Sequence, residues 1–268
     1  MKIFKKPMIY FILNKISIFH LENFIEKFYK LFCILTGRNR VSKYYNTAHE
    51  VKILFKNFST KINFVVDTGS FRGDYIDSIL KYNNTAKIIS IEPNIVNYNF
   101  IKNKYSTLRN VECYNIGFSN KTESRFLYSD KNNSGLSSIV KMPNLKFKKK
   151  VNFYTFKSFM KNYFKKNKLN KNTLIDLVKI DAEGFDYFVL KGMGNYLKKV
   201  RLIQFEQGFK SIESKVFFIK FYNFLTNNNF SIYRIGLNRP IKINKYNYNL
   251  EVFMSQNFIA VNRFNNRN

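Results

Sequence analysis

The chain has 268 residues, enough to bury a full core, and carries 46 Lys and Arg against 17 Asp and Glu, a formal charge of +29. Only Cys33 and Cys113 are present, which excludes a disulfide framework and a cysteine-built zinc site and fits a reducing cytoplasm. No stretch reaches the roughly 20 apolar residues that a spanning helix needs, so the expectation is a cytoplasmic protein, soluble or peripheral at the inner membrane face.

A charge of this size ordinarily points to a polyanion partner, either nucleic acid or an anionic membrane face. Here the excess is mostly Lys, spread through the chain beside abundant Asn, Ile, Phe and Tyr with no Trp. A biased coding composition produces the same pattern and is the preferred explanation. The first residues, MKIFKKPMIYFILNKISIF, suggest a secretion signal, but Asn14 and Lys15 interrupt the apolar stretch and no small-residue cleavage site follows.

From Ile9 to Leu35 apolar residues recur at helical spacing (Ile12, Ile16, Phe19, then Phe24, Phe28, Leu31 and Leu35), with Lys15, Glu22, Glu26, Lys27 and Lys30 between them. One or two amphipathic helices are predicted. Their stripe is expected to pack on the main domain; a basic helix lying on a membrane surface is the alternative. Gly37 to Arg40 marks a break, and a short helix around 48–58 completes an arm over residues 1–60.

From Lys61 short apolar runs alternate with helical segments, the pattern of parallel βα units. Strands are predicted over 63–67, 87–92, 111–116, 174–181 and 201–206, with helices over 74–82, 96–104, 185–197 and 213–225. Two more strands, near 230–235 and 258–262, are connected closely enough to pair antiparallel, giving seven in all. Between the third and fourth strands lies a polar stretch, 119–171, whose basic run Lys146 to Lys150 reads as a solvated loop.

In an open parallel sheet, ligands bind beyond the carboxyl ends of the strands, where helix N-termini offer free amides. Polar residues collect at those ends. Asp67, Gly69, Ser70 and Gly73 follow the first strand, Glu92 and Pro93 the second, Asn115, Ile116 and Gly117 the third, Asp181, Glu183 and Gly184 the fourth, and Glu206 and Gln207 the fifth. Asp74 and Asp186 taken singly read as helix N-caps. The turn DTGSFRG differs from the dinucleotide fingerprint, having an acid before the first glycine and three residues between the glycines. Asp67 would repel a pyrophosphate and attract a cation, while Glu92 stands where an acid accepts both hydroxyls of a ribose. A ribose joined to a cation, without phosphate, describes S-adenosylmethionine.

VVDTGSFRG, SIEPN, GLSSIV, LVKIDAEGFDYFVLKG and LIQFEQG, in this order and spacing, resemble the FkbM family of S-adenosylmethionine-dependent methyltransferases over about residues 62–210. The resemblance implies an α/β fold, the class I methyltransferase (Rossmann-like) sheet of seven mostly parallel strands with the last antiparallel, over 61–268 behind the helical arm. It implies O-methylation, with sugar hydroxyls of surface glycans or hydroxyls of secondary metabolites as acceptors. Asp67 and Gly69 match the cofactor loop, Glu92 the ribose acid, and Asp181 with Glu183 the acidic segment after the fourth strand. Two departures stand out: Phe71 where the loop usually carries Asn, and Asp186 where Glu is usual.

The donor set is therefore Asp67, Gly69, Ser70, Gly73, Glu92, Pro93, Asn115, Ile116, Asp181 and Glu183. His20 and His49 both precede the sheet, so the candidate base is a carboxylate, Asp181 first and Glu206 second. No resident metal is expected; in a metal-assisted version Asp181, Glu206 and Gln207 would supply oxygen ligands. Tyr128, Tyr154 and Tyr233 could stack on a sugar, though packing explains each in so aromatic a chain. Two alternatives stay open: a nucleic-acid methyltransferase, which the charge favours but the Asp-Ala-Glu-Gly sequence after the fourth strand argues against, and an inactive scaffold, which Phe71 favours.

Overall fold

A computed structural model describes residues 18–38, 46–58, 61–130 and 145–265. Its centre is an eight-stranded sheet in the order β10-β9-β11-β8-β7-β1-β2-β3. The strands are β1 (Phe64–Thr68), β2 (Lys87–Ile91), β3 (Val111–Tyr114), β7 (Ile175–Ile180), β8 (Val200–Gln207), β9 (Phe230–Ile235), β10 (Pro240–Ile243) and β11 (Gln256–Asn262). β3, β2, β1, β7 and β8 run parallel, and β11 lies antiparallel between β8 and β9. This is the class I methyltransferase arrangement with one added edge strand. Every side chain of β1 is buried, as expected of a strand covered on both faces, which is why FVVDT shows no alternation.

Helices cover both faces. On one, α2 (Thr47–Asn57), α3 (Asp74–Tyr82) and α4 (Ile95–Lys104) enclose a cluster that includes Leu54, Val65, Ile76, Ile88 and Leu177. On the other, α5 (Phe156–Lys166), α6 (Asp186–Gly192) and α8 (Phe218–Asn227) enclose Val66, Ile89, Phe156, Val189, Phe205 and Phe221. Successive residues of β1 enter opposite clusters, as the two-residue repeat of a strand requires.

Several expectations change. The eighth strand, β10, forms a hairpin with β9 closed at Gly236 and Arg239, in a stretch too polar to read as a strand. A second, three-stranded sheet, β4 (Gly117–Ser119), β6 (Phe147–Thr155) and β5 (Glu123–Ser129), occupies the stretch read as polar connection. Lys148 to Lys150 are solvated as expected but belong to a strand, because β5 satisfies their backbone while their side chains remain in water. GLSSIV lies outside the described residues. The helix expected over 185–197 stops at Gly192 and continues as a 3-10 segment, Gly194–Lys199. That expected over 213–225 is α7 (Lys210–Ser214) and α8, separated where Lys215 takes φ 53°. Asp74 and Asp186 are not N-caps; Gly73 and Phe185 hold those positions without a side-chain cap, and each Asp is the first helical residue.

Residues 1–60, read as one arm, behave as two parts. α2 is built into the core: Val51, Ile53, Leu54 and Phe55 are buried, and Glu50 accepts a hydrogen bond from Gln204 Nε2 in the sheet. Gln204 in turn accepts from the Tyr75 hydroxyl at 2.8 Å. α1 (Ile18–Leu35) behaves otherwise: Phe24, Phe28, Leu31 and Leu35, expected to pack on the domain, are exposed. Glu50→Ala would leave the buried Gln204 amide without its acceptor. The variant should lose about 1–3 kcal/mol in urea unfolding, and an unchanged midpoint would show that α2 is dispensable to the fold.

Candidate active site

The turn after β1 is fastened to both neighbouring strands. Gly69 N and Ser70 N donate to Ile91 O of β2 at 2.9 and 3.2 Å, and Asp181 N at the end of β7 donates to Thr68 O at 2.9 Å. Gly69 takes φ 79°, and a Cβ there would meet Asp181 O at 1.9 Å. Close approach of this turn to β7, rather than to a ligand, requires that glycine. Gly73 has a similar origin: its φ is 83°, and a Cβ would meet the Tyr105 hydroxyl at 2.3 Å. Tyr105 donates to Gly73 O at 2.8 Å, so this second glycine seats a side chain. The Ser70 hydroxyl is engaged within the turn, donating to Asp67 O at 3.1 Å and accepting from Ser90 Oγ at 2.8 Å.

Asp67 is fully buried, and among the described residues neither of its carboxylate oxygens meets a donor at hydrogen-bond geometry. What it has is a charge: Lys179 Nζ lies 3.7 Å from Asp67 Oδ1 and donates to Asp181 Oδ2 at 3.1 Å. Asp67 and Lys179 are register partners on β1 and β7, and Gln204 continues the row on β8. Burial raises the Asp67 pKa, against the lowering charge of Lys179. Burial opposes the Lys179 charge too, but the carboxylates of Asp181 and Asp67 outweigh it and the ammonium's pKa is raised. The sequence reading assigned Lys179 no role. Its signal was there: a single lysine within the otherwise apolar LVKI run of a doubly covered strand.

Beyond these strand ends opens a cleft of about 250 Å³. Gly69, Glu92, Pro93, Asp181 and Glu183 line it, together with Asn97, Phe118, Leu127 and Phe153, which the sequence reading did not single out. The last two come from β5 and β6, so the small sheet forms the cleft's apolar wall. Glu92 is buried, and its two oxygens accept Phe71 N and Asn94 N, each at 2.8 Å. Burial pushes its pKa up to about 7, although those amide donors work in the opposite direction. Besides Asp67, four residues of the expected cofactor set lie off the lining: Ser70 and Gly73 for the reasons above, Asn115, whose amide donates to Glu92 O and Pro93 O at 2.9 and 3.0 Å, and Ile116, which packs on the core. Asp67 stays beneath the floor.

A narrower recess adjoins the cleft at Asp181 and Glu183 and is lined by Asp186, Glu206, Gln207 and Lys210. The Glu183 carboxylate pairs with Lys210, and Glu206 accepts from the Ser255 hydroxyl. Asp186 is buried, its oxygens accepting Ala182 N and Glu206 N at 3.3 and 3.4 Å. Burial, and next the charges of Asp181 and Glu206, raise its pKa well above the usual carboxylate range. Among the described residues no group of three or more His, Cys, Asp or Glu is placed to hold a metal ion; Asp181, Glu206 and Gln207, the oxygen ligands of the metal-assisted alternative, line one recess. His49 lies away from the cleft, its Nε2 2.6 Å from Leu237 O, and Tyr233 packs edge-on against Phe58.

A family model described as a methyltransferase FkbM domain matches residues 67–232. No curated protein matches the chain. Among solved structures, the FkbM methyltransferase of Methylobacillus flagellatus KT is similar at 12% identity with a TM-score of 0.48, over 78% of this chain and 47% of that one, so this chain spans about half its length. An O-methyltransferase from Bacillus cereus in complex with SAH is similar at 10% identity and a TM-score of 0.44, covering 82% of each chain. The precorrin-6y C5,15-methyltransferase of Geobacter metallireducens GS-15 is similar at 11% identity and a TM-score of 0.42, over 79% of this chain and 86% of that one.

Phe71 takes φ 49°, a left-handed conformation that Asn tolerates better than an aromatic residue. Its ring rests beside the Arg72 guanidinium, 5.7 Å from the centroid. Phe71→Asn should therefore stabilise the fold by about 0.5–1 kcal/mol, measured by thermal unfolding. A lower melting temperature would mean that ring packing outweighs the backbone strain.

Proposed function

The chain belongs to the FkbM methyltransferase family, and on that basis we propose an S-adenosylmethionine-dependent O-methyltransferase whose acceptor is a hydroxyl on a sugar of a surface glycan or a related metabolite. One observation carries this reading. Of the 17 acidic residues in a chain of net charge +29, Glu92, Asp181, Glu183 and Glu206 line one cleft and its recess, with Lys179 and Lys210 as counter-charges. An acidic cleft in so basic a protein disfavours a phosphate-bearing cofactor and favours a cationic one.

The residues present fit such a donor. Glu92, held by the amides of Phe71 and Asn94 and by the Asn97 side chain, lines the cleft where a carboxylate can accept ribose hydroxyls. Phe118, Leu127 and Phe153 offer an apolar wall to the adenine, and Asp181 and Glu183 stand where a positive charge is welcome. Bound there, S-adenosylmethionine would supply an electrophilic methyl group, transferable to oxygen without a covalent enzyme intermediate. The chain's own contribution is orientation, worth roughly 7–11 kcal/mol in favourable cases, and removal of a proton.

Asp181 is the better candidate for that removal because it lines both cleft and recess, with Lys179 fixing its Oδ2. Glu206 lines the recess alone and accepts from Ser255, which suits it to orienting the acceptor. Asp186, whose pKa burial raises, accepts the amides of Ala182 and Glu206 and so braces the recess.

Two measurements test the reading. In the Glu92 carboxyl, raised to about 7, only the deprotonated form accepts both hydroxyls. Affinity for S-adenosylmethionine should accordingly rise about tenfold from pH 6 to pH 8 and then level off, while Glu92→Gln removes the slope; a flat wild-type profile by calorimetry would take Glu92 away from the ribose. Asp181→Asn should lower kcat at saturating donor by about 10²–10⁴, well beyond its loss of donor affinity. Loss of donor binding in step with kcat would make Asp181 a donor ligand instead of the base.

A further inference from the structure

We propose that α1 docks this protein on an anionic lipid bilayer through an apolar face that the fold leaves uncovered. Phe24, Ile25, Phe28, Tyr29, Leu31, Phe32 and Leu35 fall on one continuous arc of the helix, about 160° wide at 100° per residue, and all seven are exposed, Phe32 most at 66%. Monomeric proteins rarely leave so large a contiguous apolar surface in water without a use for it. The polar side carries Lys27 and the Glu26–Lys30 pair at 3.3 Å.

Among the described residues, α1 is fastened to the body near its C-terminal end. Cys33 is buried, Arg234 Nε donates to Thr36 O at 2.8 Å, and Gly37 lies so close to Ile235 that a Cβ would meet Ile235 O at 2.0 Å. Phe24, Ile25, Phe28, Tyr29 and Phe32 line an open groove with Arg38 and Arg234 and remain exposed in it. A helix with phenylalanines on one side and two lysines and two glutamates on the other is amphipathic, a form that suits the plane of a membrane interface. No helix among the described residues is long and apolar enough to cross a membrane, so α1 would lie on the bilayer and not span it.

Charge selects the occupant. Residues 1–40 contain eight Lys or Arg against two Glu, within a chain of +29. A second copy would bring two such charges together, whereas an anionic lipid surface neutralises them, each cation near that surface contributing about 1 kcal/mol. The anchor also fixes where the bilayer would lie. β9 runs parallel to β8, since β11 opposes both, so Ile235 sits at the same end of the sheet as the cleft. On the glycan reading proposed above, on which this clause alone rests, docking keeps the cleft beside acceptors carried at a membrane.

The test is co-sedimentation of the full chain with vesicles of phosphatidylglycerol and phosphatidylcholine at physiological salt, against pure phosphatidylcholine. Wild-type protein should partition to the anionic vesicles. A Phe24→Ser, Phe28→Ser, Phe32→Ser triple variant should partition at least about tenfold less, with unchanged circular dichroism and thermal unfolding. Undiminished binding by the variant would assign the attraction to general charge and overturn the proposal. So would failure of wild-type protein to bind, or a dimer of twice 32.0 kDa in light scattering that the triple variant abolishes. Calorimetry with S-adenosylhomocysteine on the same samples reports separately on the donor site, so loss of one reading leaves the other standing.

Discussion

Lys179 holds an ammonium between two parallel strands, 3.7 Å from Asp67 and 3.1 Å from Asp181, at the point where the turn after β1 meets the end of β7. Neither carboxylate could stand there uncompensated. Asp67 is wholly buried with no donor at hydrogen-bond geometry among the described residues, and a buried charge stripped of its partner costs about 3–5 kcal/mol. The lysine makes an acidic sheet end compatible with a folded core. It also fixes Asp181 at the boundary between cleft and recess, so one interaction serves the fold and the site together.

The surrounding contacts extend the same constraint. Gly69 lets the turn approach Asp181, and Glu92 ties that turn to the second strand by accepting the Phe71 amide. Asn115 secures the third strand by donating to the carbonyls of Glu92 and Pro93. The polar residues at the strand ends thus form a frame in which each carboxylate is held by a named donor or cation. A frame of this kind is preorganised: its groups are oriented before a ligand arrives, which is where electrostatic stabilisation is most effective. Asp186, whose pKa burial and then the charges of Asp181 and Glu206 raise, completes the frame by accepting the amides of Ala182 and Glu206.

Much of this was legible in the chain because it rests on local pattern. The apolar runs that became β1, β2, β7 and β8 and the helix over Asp74–Tyr82 follow from periodicity and from turn residues. The acids after each strand were legible for the same reason. The small sheet was not, since β4 is three residues long and the exposed half of β6 is a run of lysines that only its partner β5 makes a strand. The cleft's apolar wall was missed with it. A helical stripe, in turn, reports that a face is apolar without reporting what covers it, and α1 leaves its stripe in water while α2 buries one in the core.

By itself, the sequence determined the order of strands and helices, the family, and the collection of acids at one end of a parallel sheet, because each depends on residues close together in the chain. Only the tertiary structure decided which of those acids face the cleft. It turned Asp67 beneath the floor against Lys179, used Gly69 and Gly73 for close packing, and left Glu92, Asp181 and Glu183 at the opening. The physical reason is that facing and burial are set by register between strands more than 100 residues apart, as between Asp67 and Lys179, and no local pattern encodes that pairing.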